Sequence, residues 1–282
     1  MGNTQTQIEN IHGQEIRVQV RPGDPAVPPL LMCNGIGTSL EALQPLVDAL
    51  DDRIGVVRFD VPGVGGSATP ARPYRMSGLA QTIHQLCIQL DYKQVDVFGI
   101  SWGGGLAQQF AHQYPRFCRR LVLACTGTGM TMVPGQPRVL AQLLSGSRHR
   151  DAAKAAAVAP MLYGGSMRER PEEARDIFGD IAHGVSKVGY ANQLLAMVGW
   201  TSLRWLSQVK QQTLLLFGDD DPIIRPINGR MIHWRMPHSK LVMYPGGHVD
   251  VIVNAETYAP IIGDFLLESP AVSQTKRKAK NA

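Results

Sequence analysis

Ser101 lies within VDVFGISWGGG (Val95–Gly105), where an apolar run leads into a G-x-S-x-G turn and then into a helical stretch. A turn of that form lifts a serine hydroxyl out of the backbone at the end of a buried strand, with a helix N-terminus beneath it. Gly99 and Gly103 stand where a side chain would collide with the neighbouring strand or helix. The chemistry on offer is nucleophilic attack.

A serine hydroxyl attacks poorly at neutral pH unless a base takes its proton and a third group orients that base. Two late loops supply both residue types, each following an apolar strand-like run. They are Gly218-Asp219-Asp220-Asp221-Pro222 and Gly246-Gly247-His248. The chain order serine, acid, histidine fits Ser101, Asp221 and His248, with Asp219 as the alternative acid. The other histidines have no such loop context and are expected to be structural. Attack on an ester also builds charge on the carbonyl oxygen, which preorganised N–H groups must meet. The N–H of Trp102, next after the nucleophile, and that of Ile36 in the early turn Asn34-Gly35-Ile36-Gly37 are the expected donors of this oxyanion hole.

The elements that must position these groups alternate. Glu15–Val20 reads as an edge or hairpin strand, and Pro29–Cys33, Gly55–Phe59, Val95–Ile100, Arg120–Thr126, Thr213–Phe217 and Leu241–Tyr244 read as apolar strands. Leu40, Leu43, Leu46, Val47 and Leu50 recur at helical spacing behind Thr38 and Glu41, which have the form of a capping box. Ser77 is expected to cap a helix through about Leu90, and a last helix is expected around Tyr258–Leu267. Such alternation predicts an α/β fold, a mostly parallel central sheet flanked by helices, with active residues at the carboxyl ends of strands.

The span 127–208 breaks the pattern. It is helix-rich and long for a connection, so it is expected to be an inserted helical cap on a core made of residues 1–126 and 209–269. Met161, Tyr163 and Trp200 are its candidates for substrate binding.

Composition bounds the rest. A chain of 282 residues, 44% hydrophobic, can bury one large core. Its four cysteines lack C-x-x-C spacing and read as reduced, mostly buried thiols, pointing to a cytoplasmic location. Neither a secretory signal nor a bilayer-length apolar run is expected. Four of the five net positive charges come from Lys276, Arg277, Lys278 and Lys280, in a tail at 270–282 that is expected to be disordered. That placement argues against a nucleic-acid partner for the folded body. Ligand spacings for a metal and the G-x-G-x-x-G of a dinucleotide site are missing from the sequence, so no metal or cofactor is expected.

With those residues in view, the chain resembles the intracellular medium-chain-length poly(3-hydroxyalkanoate) depolymerases of the α/β-hydrolase superfamily. The likeness is carried by PLLMCNGIG (29–37), FDVPGVGGSATPARPYR (59–75), GISWGGGLAQQFAHQYP (99–115), MVPGQP (132–137), YGG (163–165), GWTS (199–202), GDDDP (218–222) and GGH (246–248). It implies an α/β-hydrolase fold, a serine hydrolase and a polyester or hydrophobic ester substrate. It also implies a cytoplasmic location at the surface of storage granules, where granule-associated proteins are further partners. Cys33 departs from the larger apolar residue expected before the oxyanion loop. A small-molecule esterase, thioesterase, lactonase or acyltransferase shares the same machinery, and a non-catalytic granule-binding protein could share the scaffold. Ser101 itself argues against dehalogenases and epoxide hydrolases of this fold, which use aspartate.

Overall fold

Apolar runs too short for helices and bounded by turn residues become strands of a single sheet in the computed structural model, which describes residues 4–145, 152–172 and 186–268. The strands are β1 (Gln5–Ile11), β2 (Gln14–Arg21), β3 (Leu30–Cys33), β4 (Val56–Phe59), β5 (Val95–Ile100), β6 (Cys118–Ala124), β7 (Gln212–Gly218) and β8 (Ser239–Tyr244). Their order across the sheet is β1-β2-β4-β3-β5-β6-β7-β8. From β4 to β8 every pairing is parallel, and β1 and β2 add an antiparallel hairpin at one edge. Every residue of β3, β4 and β5 is buried, the signature of strands covered on both faces.

The helices are α1 (Gln44–Ala49), α2 (Met76–Gln89), α3 (Trp102–Gln113), α4 (Pro137–Ser145), α5 (Ala152–Tyr163), α6 (Lys187–Met197), α7 (Ile227–Arg235), α8 (Asp250–Val253) and α9 (Ala255–Leu267). One core lies between the sheet and α2, α3 and parts of α4 to α7, with Ile83, Leu106, Phe110, Leu162 and Ile232 fully buried. A second lies between the opposite face and α1, α8 and α9, around Leu46, Phe98, Leu214 and Ile262. The mostly parallel sheet with helices on both faces is the architecture expected from the sequence.

Local details differ. β1 was hidden from the periodicity reading because its first residues are polar and exposed, so only its register against β2 gives it strand form. The tight link between them is His12-Gly13, both at positive φ (52° and 86°). The capping box at Thr38 does not form. Ser39 precedes a 3-10 turn over Leu40–Leu43, Thr38 Oγ1 donates back to the Gly35 carbonyl, and Glu41 accepts from Ser39 Oγ and pairs with Arg17. Likewise α2 begins at Met76, placing Arg75 and not Ser77 at the cap.

Between β6 and β7 the chain runs through α4, α5 and α6, with one isolated β-bridge, Gly129 to Thr201, among the described residues. All four cysteines are buried and unpaired. Among the described residues, no helix is long and apolar enough to cross a membrane. The tail at 270–282 lies outside the described residues.

Candidate active site

Ser101 follows directly on β5 and opens α3, at φ 55° and ψ −121°. A non-glycine residue at such φ is strained, and the conformation persists only where its surroundings fix it. They do so here: the Ser101 N–H donates to the Ala124 carbonyl at 3.0 Å, and its carbonyl accepts from Gly104 N (3.0 Å) and Thr126 Oγ1 (2.7 Å). A Cβ on Gly103 would overlap the carbonyl oxygens of Cys33 and Asn34, and one on Gly99 would overlap Gly103 and Ala107.

Helix and strands therefore meet backbone to backbone. Gly103→Ala should cost about 3 kcal/mol of stability, because carbonyls of a buried strand end cannot step aside. Gly78→Ala, in α2 with open space around the position, should gain about 0.5–1 kcal/mol. Urea denaturation of the two variants checks both signs.

The three consecutive aspartates after β7 have three different tasks. Asp219 Oδ1 accepts from Gly246 N at 3.1 Å. Asp220 pairs with Arg168 at 2.7 Å and accepts from Gly165 N at 2.8 Å. Asp221 is buried; its Oδ1 accepts from the N–H groups of Ile223 and Ile224, each at 2.8 Å, and its Oδ2 lies 2.7 Å from His248 Nδ1. His248, buried in the loop after β8, is held by its own N–H, which donates to the Tyr163 carbonyl at 2.8 Å. Asp221, and not Asp219, is thus the carboxylate on the imidazole.

Ser101 and His248 line one cavity of about 110 Å³, together with Ile36, Tyr163, Ile223 and Ile252 among others. A second cavity of about 130 Å³ also touches Ser101 and is walled by Trp102, Met132, Met197 and Ile224. The nucleophile candidate stands between two mostly apolar chambers. Of the three residues expected to bind substrate, Tyr163 lines the first chamber. Met161 packs half-buried against the core. Trp200 donates from Nε1 to Gln109 Oε1 at 2.8 Å and backs Gly105 and Gly129, two glycines in the wall of the second chamber.

Two contributors were not among the sequence candidates. Gln193, from α6, accepts from Gly37 N in the early glycine turn through Oε1 (2.8 Å) and from Trp102 Nε1 through its carbonyl (2.8 Å). One residue therefore ties together the two segments carrying Ile36 and Trp102. Asp250, buried two residues after His248, accepts from Gly247 N, from Ser166 N and Oγ, and from Asn254 Nδ2. Burial pushes its carboxyl pKa above the usual range, against the pull of the Gly247 and Ser166 N–H groups. A carboxylate at that offset after G-G-H was the one clue available.

Cys125, also at positive φ (42°), brings its Sγ within 4.8 Å of ligand atoms of Asp221 and His248. Burial, reinforced by the Asp221 charge, raises its thiol pKa well above normal, so it stays protonated. Its Sγ lies 3.1 Å from the Tyr244 hydroxyl, and the Asp221 carboxylate already accepts three hydrogen bonds, so the trio fits a hydrogen-bonded network better than a metal's donor set. Elsewhere His84 stacks on Tyr114 at 3.8 Å and His112 on Trp205 at 4.3 Å, both in packing roles.

Comparison with known proteins agrees with this fold. The model of the α/β hydrolase fold family matches residues 28–255. A poly(3-hydroxyalkanoate) depolymerase of Ectopseudomonas oleovorans is 49% identical over 91% of this chain and 90% of its own. The 3-oxoadipate enol-lactonase 2 of Acinetobacter baylyi is 26% identical, over 82% of this chain and 85% of its own. Among solved structures, the enol-lactonase from Burkholderia xenovorans LB400 superimposes with a TM-score of 0.80 at 24% identity, covering 93% of this chain and all of its own, a likeness of fold. Matched by the family model over residues 28–255, most of its length, this chain belongs to the α/β hydrolase family.

Proposed function

We propose that the protein is a serine hydrolase that degrades medium-chain-length poly(3-hydroxyalkanoate) through an acyl-enzyme. The observation that carries this reading is the buried His248–Asp221 pair opening onto the cavity that Ser101 lines, in a chain so similar to a depolymerase. With Nδ1 held by Asp221, Nε2 is the ring nitrogen left to take the Ser101 proton as the hydroxyl oxygen attacks the ester carbonyl. The tetrahedral oxyanion is met by the N–H groups of Ile36 and Trp102, each worth about 3 kcal/mol of barrier. His248 then returns the proton to the leaving alkoxide, the C–O bond breaks, and a 3-hydroxyacyl ester remains on Ser101. Water activated by the same imidazole frees the hydroxy acid. Asp221 stabilises the imidazolium without itself being protonated.

In this reading 127–208 is the cap over the site, and the chambers beside Ser101 take the alkyl-bearing repeat units. Work at the surface of cytoplasmic granules, alongside granule-associated proteins, follows from a substrate that is an insoluble solid. The small volume of each chamber also suits a compact ester or lactone, which keeps a small-molecule esterase as the second reading. A substrate panel separates them: medium-chain polyester, short-chain polyester and nitrophenyl esters of rising length. The expected result is release of hydroxy acids from the medium-chain polymer. Hydrolysis of the nitrophenyl esters alone would overturn the polymer assignment.

A further inference from the structure

Helix α6 exposes an apolar row. Its buried residues include Asn192 and Gln193, whereas Val188 and Leu195 are 53% and 50% exposed and Ala191 is exposed between them. Spacings of three and four residues put these three on one helical face. Val198, 61% exposed, follows as the C-cap, its N–H on the Leu195 carbonyl. Met130, 68% exposed, is tied to the segment two residues further on, its N–H donating to the Trp200 carbonyl at 3.0 Å. Lys187 at the first position is the helix's only charge. Apolar residues exposed singly are ordinary, but an uncharged row of them marks a surface made to be covered.

The polar side faces inward for a reason. Gln193 binds Gly37 and Trp102, and the Ser186 cap at the helix start donates from Oγ to the Gly63 carbonyl at 3.1 Å. Gly189 lies so close to Gly63 that a Cβ there would overlap its carbonyl. The helix is thus anchored to the segments around Ser101, and its Met197 lines the second chamber beside the nucleophile. The residue after Met197 is already part of the exposed row.

Resting on the function proposed above, we propose that Val188, Ala191, Leu195, Val198 and Met130 form the face that adsorbs to the apolar surface of solid polyester. Three observations select that occupant. The only charge near the row is Lys187 at its start, too little to match an ionic partner; Val198 directly follows Met197, which lines a chamber at Ser101; and the substrate is a water-insoluble solid with hydrocarbon side chains. Through Gln193 the adsorbed surface is held in a fixed relation to the oxyanion donors.

The test uses the full chain with Leu195→Asp/Val198→Asp and, separately, Val188→Asp. Depletion from solution by washed medium-chain polyester particles should show adsorption weakened by about tenfold or more, as expected when buried Leu and Val contacts are lost. Hydroxy-acid release from the particles should fall in step. Turnover of soluble nitrophenyl butyrate should stay within about twofold, and Leu195→Met should adsorb like the parent. Charged variants that adsorb as well as the parent overturn the proposal. So does light scattering that shows a dimeric parent and monomeric variants with adsorption unchanged, since the row would then be a subunit interface. A parent that adsorbs but releases no hydroxy acid leaves this face standing and sinks the substrate assignment instead.

Discussion

Ser101→Ala should abolish turnover of both soluble esters and polymer, lowering kcat by about a million-fold, the scale of loss when a serine nucleophile is removed from a triad. The variant should remain folded, since the main-chain bonds of residue 101 to Ala124, Gly104 and Thr126 do not involve its hydroxyl. Ser101→Gly should be equally inactive yet more stable than the parent by about 1 kcal/mol, because glycine accepts φ 55° without the penalty that serine bears. Denaturant midpoints and steady-state rates on one preparation test both halves. Residual activity above one part in about a thousand in the alanine variant would remove Ser101 as nucleophile.

Asp221→Asn should lower kcat by about ten-thousand-fold with little change in KM for a small ester. An amide can still accept from the Ile223 and Ile224 N–H groups, so the loop should hold its shape. It cannot, however, hold the imidazole in the required tautomer or stabilise its charged form. Asp219→Asn and Asp220→Asn are the controls. The first touches a loop contact to Gly246 and the second a half-exposed pair with Arg168, worth under about 1 kcal/mol, so each should keep activity within about tenfold. If Asp219→Asn matched Asp221→Asn in its loss, the acid would have to be reassigned.

The parts of the molecule legible in its sequence are those governed by local rules. β3 through β7 announce themselves because strands covered on both faces are largely apolar, and the serine turn by its glycine spacing, although Gly103 is demanded by the distant carbonyls of Cys33 and Asn34. The three aspartates were harder: order along the chain narrows the choice, but only the approach of His248 distinguishes Asp221. Caps at Thr38 and Ser77 failed as readings because Ser39 and Arg75 took those places, a shift of one or two residues that propensity cannot resolve. Gln193 was invisible for a deeper reason. Its partners Gly37 and Trp102 lie 156 and 91 residues away, and a glutamine in a helix carries no mark of such contacts.

Periodicity also misleads where a helix reverses the usual sides. In α6 Asn192 and Gln193 are buried while Val188 and Leu195 are about half exposed, so a rule that assigns apolar positions to the core assigns those two wrongly.

The short turn from Tyr163 to Arg168 is fastened at three points: His248 N–H on the Tyr163 carbonyl, Asp250 on Ser166, and Asp220 on Gly165 and Arg168. That turn is bolted to the very loops that carry the candidate acid and base. Lifting it would break the hydrogen bonds that seat Asp220, His248 and Asp250.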